Sequence, residues 1–158
     1  MKLPRYELRT EKSLMVFEFV SEGYKGKISK IVNFTETSLK GMYNLAFGDK
    51  NVGTEDIDDT VVSNNGDSEK VLSTVVAAVY AFTEHHPEAW VYASGSTKTR
   101  TRLYRMGIAK YFDVISQDFF IFGLRNEEWM SFEKDVDYKA FIVKRKKNVT
   151  KNISNENN

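Results

Sequence analysis

Four residues, Trp90-Val-Tyr-Ala93, stand between two helix signals, and their placement constrains the fold more than any other feature. Upstream, Val71, Leu72, Val75, Val76, Val79 and Phe82 recur at helical spacing, and Pro87 predicts that this helix stops near His85. Downstream, Gly95 permits a tight turn and Ser96 or Thr97 can cap a second helix. That helix is expected to run to about Met106, with Gly107 as its C′ stop. A short strand of aromatic and β-branched residues, entered from one helix and left into another, has to be buried in a sheet against which those helices pack.

The remaining segments supply the rest of that sheet. Leu14–Val20 and Lys27–Phe34 read as strands joined by a Ser-Glu-Gly-Tyr-Lys-Gly hairpin turn. Met42–Phe47 and Ile57–Val62 follow as strands, separated by a loop over Gly48–Asp56. Phe119–Phe122, Trp129–Phe132 and Tyr138–Lys144 close the set. The expected fold is α+β: one mixed, largely antiparallel sheet flanked by two main helices. Residues 1–147 are expected to form a single globular domain, and Asn148–Asn158, rich in Lys and Asn, a disordered tail.

The chain has 158 residues, is 41% hydrophobic and 28% charged, and contains no cysteine. This excludes a disulfide scaffold and any thiolate metal site. Met1–Lys12 is polar, and no apolar run reaches the ~18 residues of a membrane span. The expectation is a cytoplasmic protein with no membrane partner; its oligomeric state is left open.

The net charge of +1 hides an asymmetry. Asp49, Glu55, Asp56, Asp58, Asp59, Asp67 and Glu69 crowd one stretch, whereas Lys98, Arg100, Arg102, Arg105 and Lys110 crowd another. The strand-to-helix turn at Gly95, Ser96 and Thr97 offers backbone N–H groups and hydroxyls beside these cations, a chemistry suited to an anion such as phosphate. Helical spacing puts Lys98, Arg102 and Arg105 on one face, Thr99, Leu103 and Met106 on a second, and Arg100 with Tyr104 on a third. Arg100 is the preferred anion ligand, because a guanidinium can grip phosphate with two hydrogen bonds. The structural alternative is that Arg100 and Arg102 pair with the acids of the Asp49–Glu69 stretch.

A second turn, Asn64, Asn65 and Gly66, can present amides to an anion or simply start the first helix, with Asn65 or Asp67 as its cap. Neither His85-His86 nor Asp58-Asp59 has the spacing or number of ligands that a metal site needs, so no metal is expected. No nucleophile elbow, P-loop or His-Glu-x-x-His occurs.

Three blocks carry a family resemblance: Tyr43-Asn-Leu-Ala-Phe-Gly-Asp49, Ser63-Asn-Asn-Gly-Asp-Ser-Glu-Lys-Val71 and Gly95-Ser-Thr-Lys-Thr-Arg-Thr-Arg-Leu-Tyr104. Through them, from Pro4 to Arg145, the chain resembles a family of short, uncharacterised bacterial proteins, which implies no function. The order of elements, and Leu103-Tyr104, also resemble the acetyl-coenzyme A-dependent acetyltransferase superfamily. That likeness implies acetyl-coenzyme A as cofactor and Tyr104 as general acid to the departing thiolate. The superfamily's (Gln/Arg)-x-x-Gly-x-Gly/Ala loop is absent from residues 62–69, and Thr97 and Arg100 replace its usual asparagine and alanine.

The leading expectation is a domain that binds a phosphate-bearing small molecule at the Gly95–Arg102 turn, with divergent acyl transfer through Tyr104. A second reading is an RNA- or DNA-binding regulatory or toxin-like module. It would use the same cations, Lys144-Arg-Lys-Lys147, and Tyr24, Tyr104 and Tyr111 for stacking. A third is a protein-interaction domain whose arginine turn is structural.

Overall fold

The computed structural model describes residues 4–50, 57–58, 65–95 and 97–147. In chain order the strands are β1 (Arg9–Thr10), β2 (Val16–Gly23), β3 (Gly26–Glu36), β4 (Met42–Lys50) and β5 (Ile57–Asp58). Helix α1 (Ser68–His85), strand β6 (Trp90–Ala93), and helices α2 (Lys98–Lys110) and α3 (Phe112–Asp118) follow. Strands β7 (Phe119–Arg125), β8 (Glu128–Ser131) and β9 (Ala140–Arg145) complete the described chain.

All the strands join one mixed sheet in the order β1-β2-β3-β4-β6-β9-β7-β8, with β5 beside β4. Among the described residues every pairing is antiparallel except β4 with β6, which run parallel over Met42↔Trp90 to Leu45↔Ala93. A parallel pair needs a crossover, and α1 provides it. The expected α+β class with a largely antiparallel sheet is what forms.

Strand alternation divides the sheet's side chains between two faces. Phe17, Phe19, Val32, Phe34, Leu45, Phe47, Val91 and Phe141 point to the face that the helices cover, and all are buried. Phe82 of α1 stacks on Phe34 with ring centroids 4.2 Å apart. Leu72, Val75 and Val79 of α1, Tyr104 and Gly107 of α2, and Ile115 of α3 all border one apolar cavity above this face. The opposite face carries Trp90, Tyr92, Phe120 and Phe122; Trp90 packs on Phe122 at 6.1 Å, and Phe120 is half exposed.

Several boundaries differ from the sequence reading: β4 continues to Lys50 through residues expected in a loop, because Asp49 and Lys50 pair with β3 and β5. Gly107 lies inside α2, three residues before its end. A Cβ there would sit 3.2 Å from Leu72 Cδ2, so this glycine permits close approach of α1 and α2 rather than ending a helix. The chain then turns at Tyr111 into α3, which the sequence reading did not contain. Ile57–Val62 is strand at Ile57–Asp58, and the rest of that segment lies outside the described residues. The tail expected at Asn148–Asn158 also lies outside them.

Asp67 takes the N-cap position of α1, yet its carboxylate makes no capping bond. It accepts instead from the Tyr6 hydroxyl (2.5 Å) and from Ser21 Oγ (2.5 Å), tying the N-terminal segment to β2 and α1. Burial, first, and the hydrogen bond to Asp67, second, raise the Tyr6 pKa above 10.0. At the far end of α1, burial and the hydrogen bond from Tyr80 to Asp118 (2.5 Å) raise the Tyr80 pKa in the same direction.

Both tyrosines therefore favour the neutral phenol more when folded than when unfolded. Their contribution to stability is complete below the unfolded value of 10.0 and is lost as pH rises through the higher folded values. Urea denaturation between about pH 9 and 12 should show stability falling above pH 10. The Tyr80→Phe variant should show a shallower fall; an unchanged slope would remove Tyr80 from this account.

Candidate functional site

At the end of β6 the chain reverses into α2 through contacts that require glycine. A Cβ on Gly95 would lie 2.4 Å from the Thr101 amide nitrogen and 2.6 Å from Arg100 Cβ. The Gly95 N–H donates to Thr101 Oγ1 (3.0 Å), and that hydroxyl donates to the Thr97 carbonyl (3.1 Å). Thr97 is the N-cap: its Oγ1 accepts from the Arg100 N–H at 3.2 Å. Ser96 lies outside the described residues.

Of the three faces that the spacing distinguishes, the one with Arg100 and Tyr104 turns inward. Arg100, Tyr104 and Gly107 are the buried residues of α2. Arg100 is 2% exposed and its Nη1 donates to the Phe47 carbonyl, with the guanidinium over the Phe47 ring at 5.6 Å. Beyond Leu45 strand β4 has no partner residue in β6, and the Arg100 side chain fills the space where the parallel pair has parted. Tyr104 faces the apolar cavity of about 90 Å³, together with Leu45 and Ala93, the last residues that pair across β4 and β6.

Lys98, Arg102 and Arg105 lie on the other side and border a separate pocket of about 670 Å³. Gly95 and Thr97 form one wall, and the β7–β8 turn brings Arg125 and Asn126 to it. That turn is a two-residue hairpin with both central residues at positive φ, Asn126 at 52° and Glu127 at 64°. Lys139 joins from the segment before β9, held by its N–H to the Leu124 carbonyl (2.8 Å). Arg105 Nε is 3.6 Å from Asp137 Oδ1, a contact in which Asp137 is almost fully exposed. Among the described residues no carboxylate lies within ion-pair distance of Lys98, Arg102, Arg125 or Lys139.

The structure thus separates residues that the sequence reading placed in one concavity. Lys98, Arg102, Arg105, Gly95 and Thr97 stay together at the pocket, whereas Arg100 and Tyr104 turn into the core. Arg125 and Lys139 were missed; they are distant in sequence, and a hairpin turn and a single lysine carry no anion signature of their own. The stacking candidates of the nucleic-acid reading are scattered: Tyr24 lies on the β2–β3 turn and Tyr111 hydrogen-bonds the Glu69 carbonyl (3.1 Å). Lys110 pairs with Glu69 and Lys30 with Asp49, so part of the acidic stretch is occupied by cations outside the pocket.

The second turn is engaged with its own chain. Asn65 is 1% exposed; its Oδ1 accepts from the Lys25 N–H (2.7 Å), and its Nδ2 donates to the Gly26 carbonyl (2.9 Å) and Ser21 Oγ (3.1 Å). Gly66 has φ 79° and abuts the Tyr24 ring. These contacts clamp the β2–β3 hairpin to the start of α1. Asn64 lies outside the described residues.

This chain belongs to a family of unknown function (DUF6934), whose model matches residues 2–146. Comparison with curated proteins and with solved structures returns no match. No helix among the described residues is long and apolar enough to cross a membrane.

The two arginines should separate in a denaturation experiment. Arg100→Ala removes a buried donor to the Phe47 carbonyl and is expected to cost about 1–3 kcal/mol. Arg102→Ala, at an exposed position, should change stability by no more than ~0.5 kcal/mol. Equal effects in urea would contradict the division of α2 into a core face and a pocket face.

Proposed function

We propose that this protein binds a phosphate-bearing small molecule in the cationic pocket beside the start of α2. One observation carries the reading: Lys98, Arg102, Arg105, Arg125 and Lys139, from three chain segments, converge on one pocket to which, among the described residues, Asp137 alone brings a carboxylate. Cations gathered in this way repel one another, and a multivalent anion relieves that repulsion. Guanidinium groups add geometry, since each can donate two parallel hydrogen bonds to phosphate. The hairpin turn bounds the pocket on one side, which favours a compact anion over an extended nucleic-acid track. Lys144 and Lys146, which the nucleic-acid reading needs, lie instead over Trp90 (5.5 Å) and Phe120 (5.3 Å) on the opposite sheet face.

Thermal-shift measurements with coenzyme A, nucleotides and tripolyphosphate test the proposal directly. At least one should raise the Tm of the wild-type chain, and Arg102→Ala should abolish the shift. A Tm unmoved by every phosphate ligand would defeat it. Strong, salt-sensitive retention on heparin or single-stranded RNA in that case would favour the nucleic-acid module.

A second reading, acyl transfer from acetyl-coenzyme A, is favoured by the cavity under Tyr104. It is apolar, is bordered by Leu45 and Ala93 at the last β4–β6 pairing, and is smaller than the ~150 Å³ that accommodates benzene, a size that suits a short acyl group. In this reading the acceptor's amine attacks the thioester carbon, the carbon–sulfur bond breaks, the Tyr104 hydroxyl protonates the departing thiolate, and the proton that the amine loses to solvent restores the phenol. Thiol release from acetyl-coenzyme A in the presence of small amines is the assay. Tyr104→Phe should slow it by roughly 100-fold or more; equal rates, or no release by the wild type, would dismiss the reading.

A further inference from the structure

We infer that the ligand of the cationic pocket is a chain of three or more linked phosphates, as in a nucleoside triphosphate or an inorganic polyphosphate, laid between two walls of cations. The inference rests on the proposed phosphate site and adds how many phosphates it takes. One wall is α2, where Lys98 opens the helix and Arg102 and Arg105 follow about one and two turns later. Lys98 and Arg105 are thereby set about 10 Å apart along the helix axis, a span longer than a single phosphate. The other wall is Arg125 with Lys139. The Lys139 N–H donates to the Leu124 carbonyl (2.8 Å), which sets Lys139 beside Arg125 at the same pocket.

Charge points to the same ligand. Among the described residues five basic side chains and one carboxylate, that of Asp137, border the pocket, an excess of four positive charges. A phosphomonoester carries about two negative charges and would leave half of that excess uncompensated. Each further phosphate in a chain adds negative charge along a line, which matches cations spread along a helix better than a single compact anion does. The contact between Arg105 and Asp137 (3.6 Å) links α2 to the segment before β9, so the two walls face each other there. The volume of about 670 Å³ leaves room for the chain between them. Arg102 and Arg105 then grip one part of it and Arg125 and Lys139 another, each through charge-assisted hydrogen bonds.

Calorimetric titrations of the full chain with orthophosphate, pyrophosphate and tripolyphosphate, without divalent cations, read the number of phosphates held. Affinity should rise at each step, by about tenfold from pyrophosphate to tripolyphosphate, as one further charge-assisted contact implies. ATP binding as tightly as tripolyphosphate would assign the chain to a nucleotide, and far weaker ATP binding would assign it to a free polyphosphate. The double change Arg125→Gln and Lys139→Gln, at two exposed positions, should weaken tripolyphosphate by about tenfold or more and orthophosphate much less, with the urea midpoint unchanged. Equal binding of pyrophosphate and tripolyphosphate by the wild type would overturn the three-phosphate chain while leaving the cationic pocket standing. Citrate binding as tightly as tripolyphosphate would do the same, as would a double variant that weakens all three ligands equally, or binding restricted to single-stranded oligonucleotides. Failure of every phosphate ligand to bind the wild type would remove the pocket and this inference together.

Discussion

The hydrogen bond from the Arg100 guanidinium to the Phe47 carbonyl marks the point on which the rest of the architecture turns. Strands β4 and β6 are the sheet's parallel pair, and they stay in register for only four residues on each strand. Where they separate, a backbone carbonyl would be left inside the protein without its ladder partner, at a cost of the order of a lost hydrogen bond. A long side chain from α2 restores that bond. Arg100 suits the task because its charge sits at the end of a flexible stem, which lets the guanidinium lie over the Phe47 ring while its N–H reaches the carbonyl.

Anchoring α2 through Arg100 fixes the rotation of the helix about its axis. With Arg100, Tyr104 and Gly107 turned inward, Lys98, Arg102 and Arg105 must face the pocket. Gly107 allows α1 close enough to fill the core side, and Gly95 allows the turn from β6 close enough to begin the helix there. The cationic pocket is therefore a consequence of how the core is closed. Its remaining cations, Arg125 and Lys139, arrive because β9 inserts between β6 and β7 and carries the ends of those strands to the same edge.

The start of α1 is organised on the same economy of polar groups. Asp67 leaves the helix end uncapped by its side chain and instead gathers the hydroxyls of Tyr6 and Ser21. Asn65 uses both its amide nitrogen and its oxygen on the β2–β3 hairpin. Two stretches far apart in the chain are thereby joined through buried hydrogen bonds whose donors and acceptors match, the condition under which a polar network rigidifies a fold.

Much of this was legible in the residues themselves. Helical spacing in Val71–Phe82 and the break at Pro87 determined α1, the strand Trp90–Ala93 was read with its observed bounds, and spacing alone divided α2 into a face with Lys98, Arg102 and Arg105 and a face with Arg100 and Tyr104. These are local properties, set by the 3.6-residue period and by side-chain chemistry within one or two turns. Which face would look inward was not local. An arginine is read from sequence as a surface cation, and only the parting of β4 from β6, a relation between residues 53 positions apart, makes a buried arginine favourable at position 100. Gly107 looked like a helix stop until Leu72 of another helix was set against it. The pocket's full set of cations was likewise decided by tertiary structure, because Arg125 and Lys139 reach Lys98 and Arg102 only through strand order, a long-range pairing that no short window of sequence encodes.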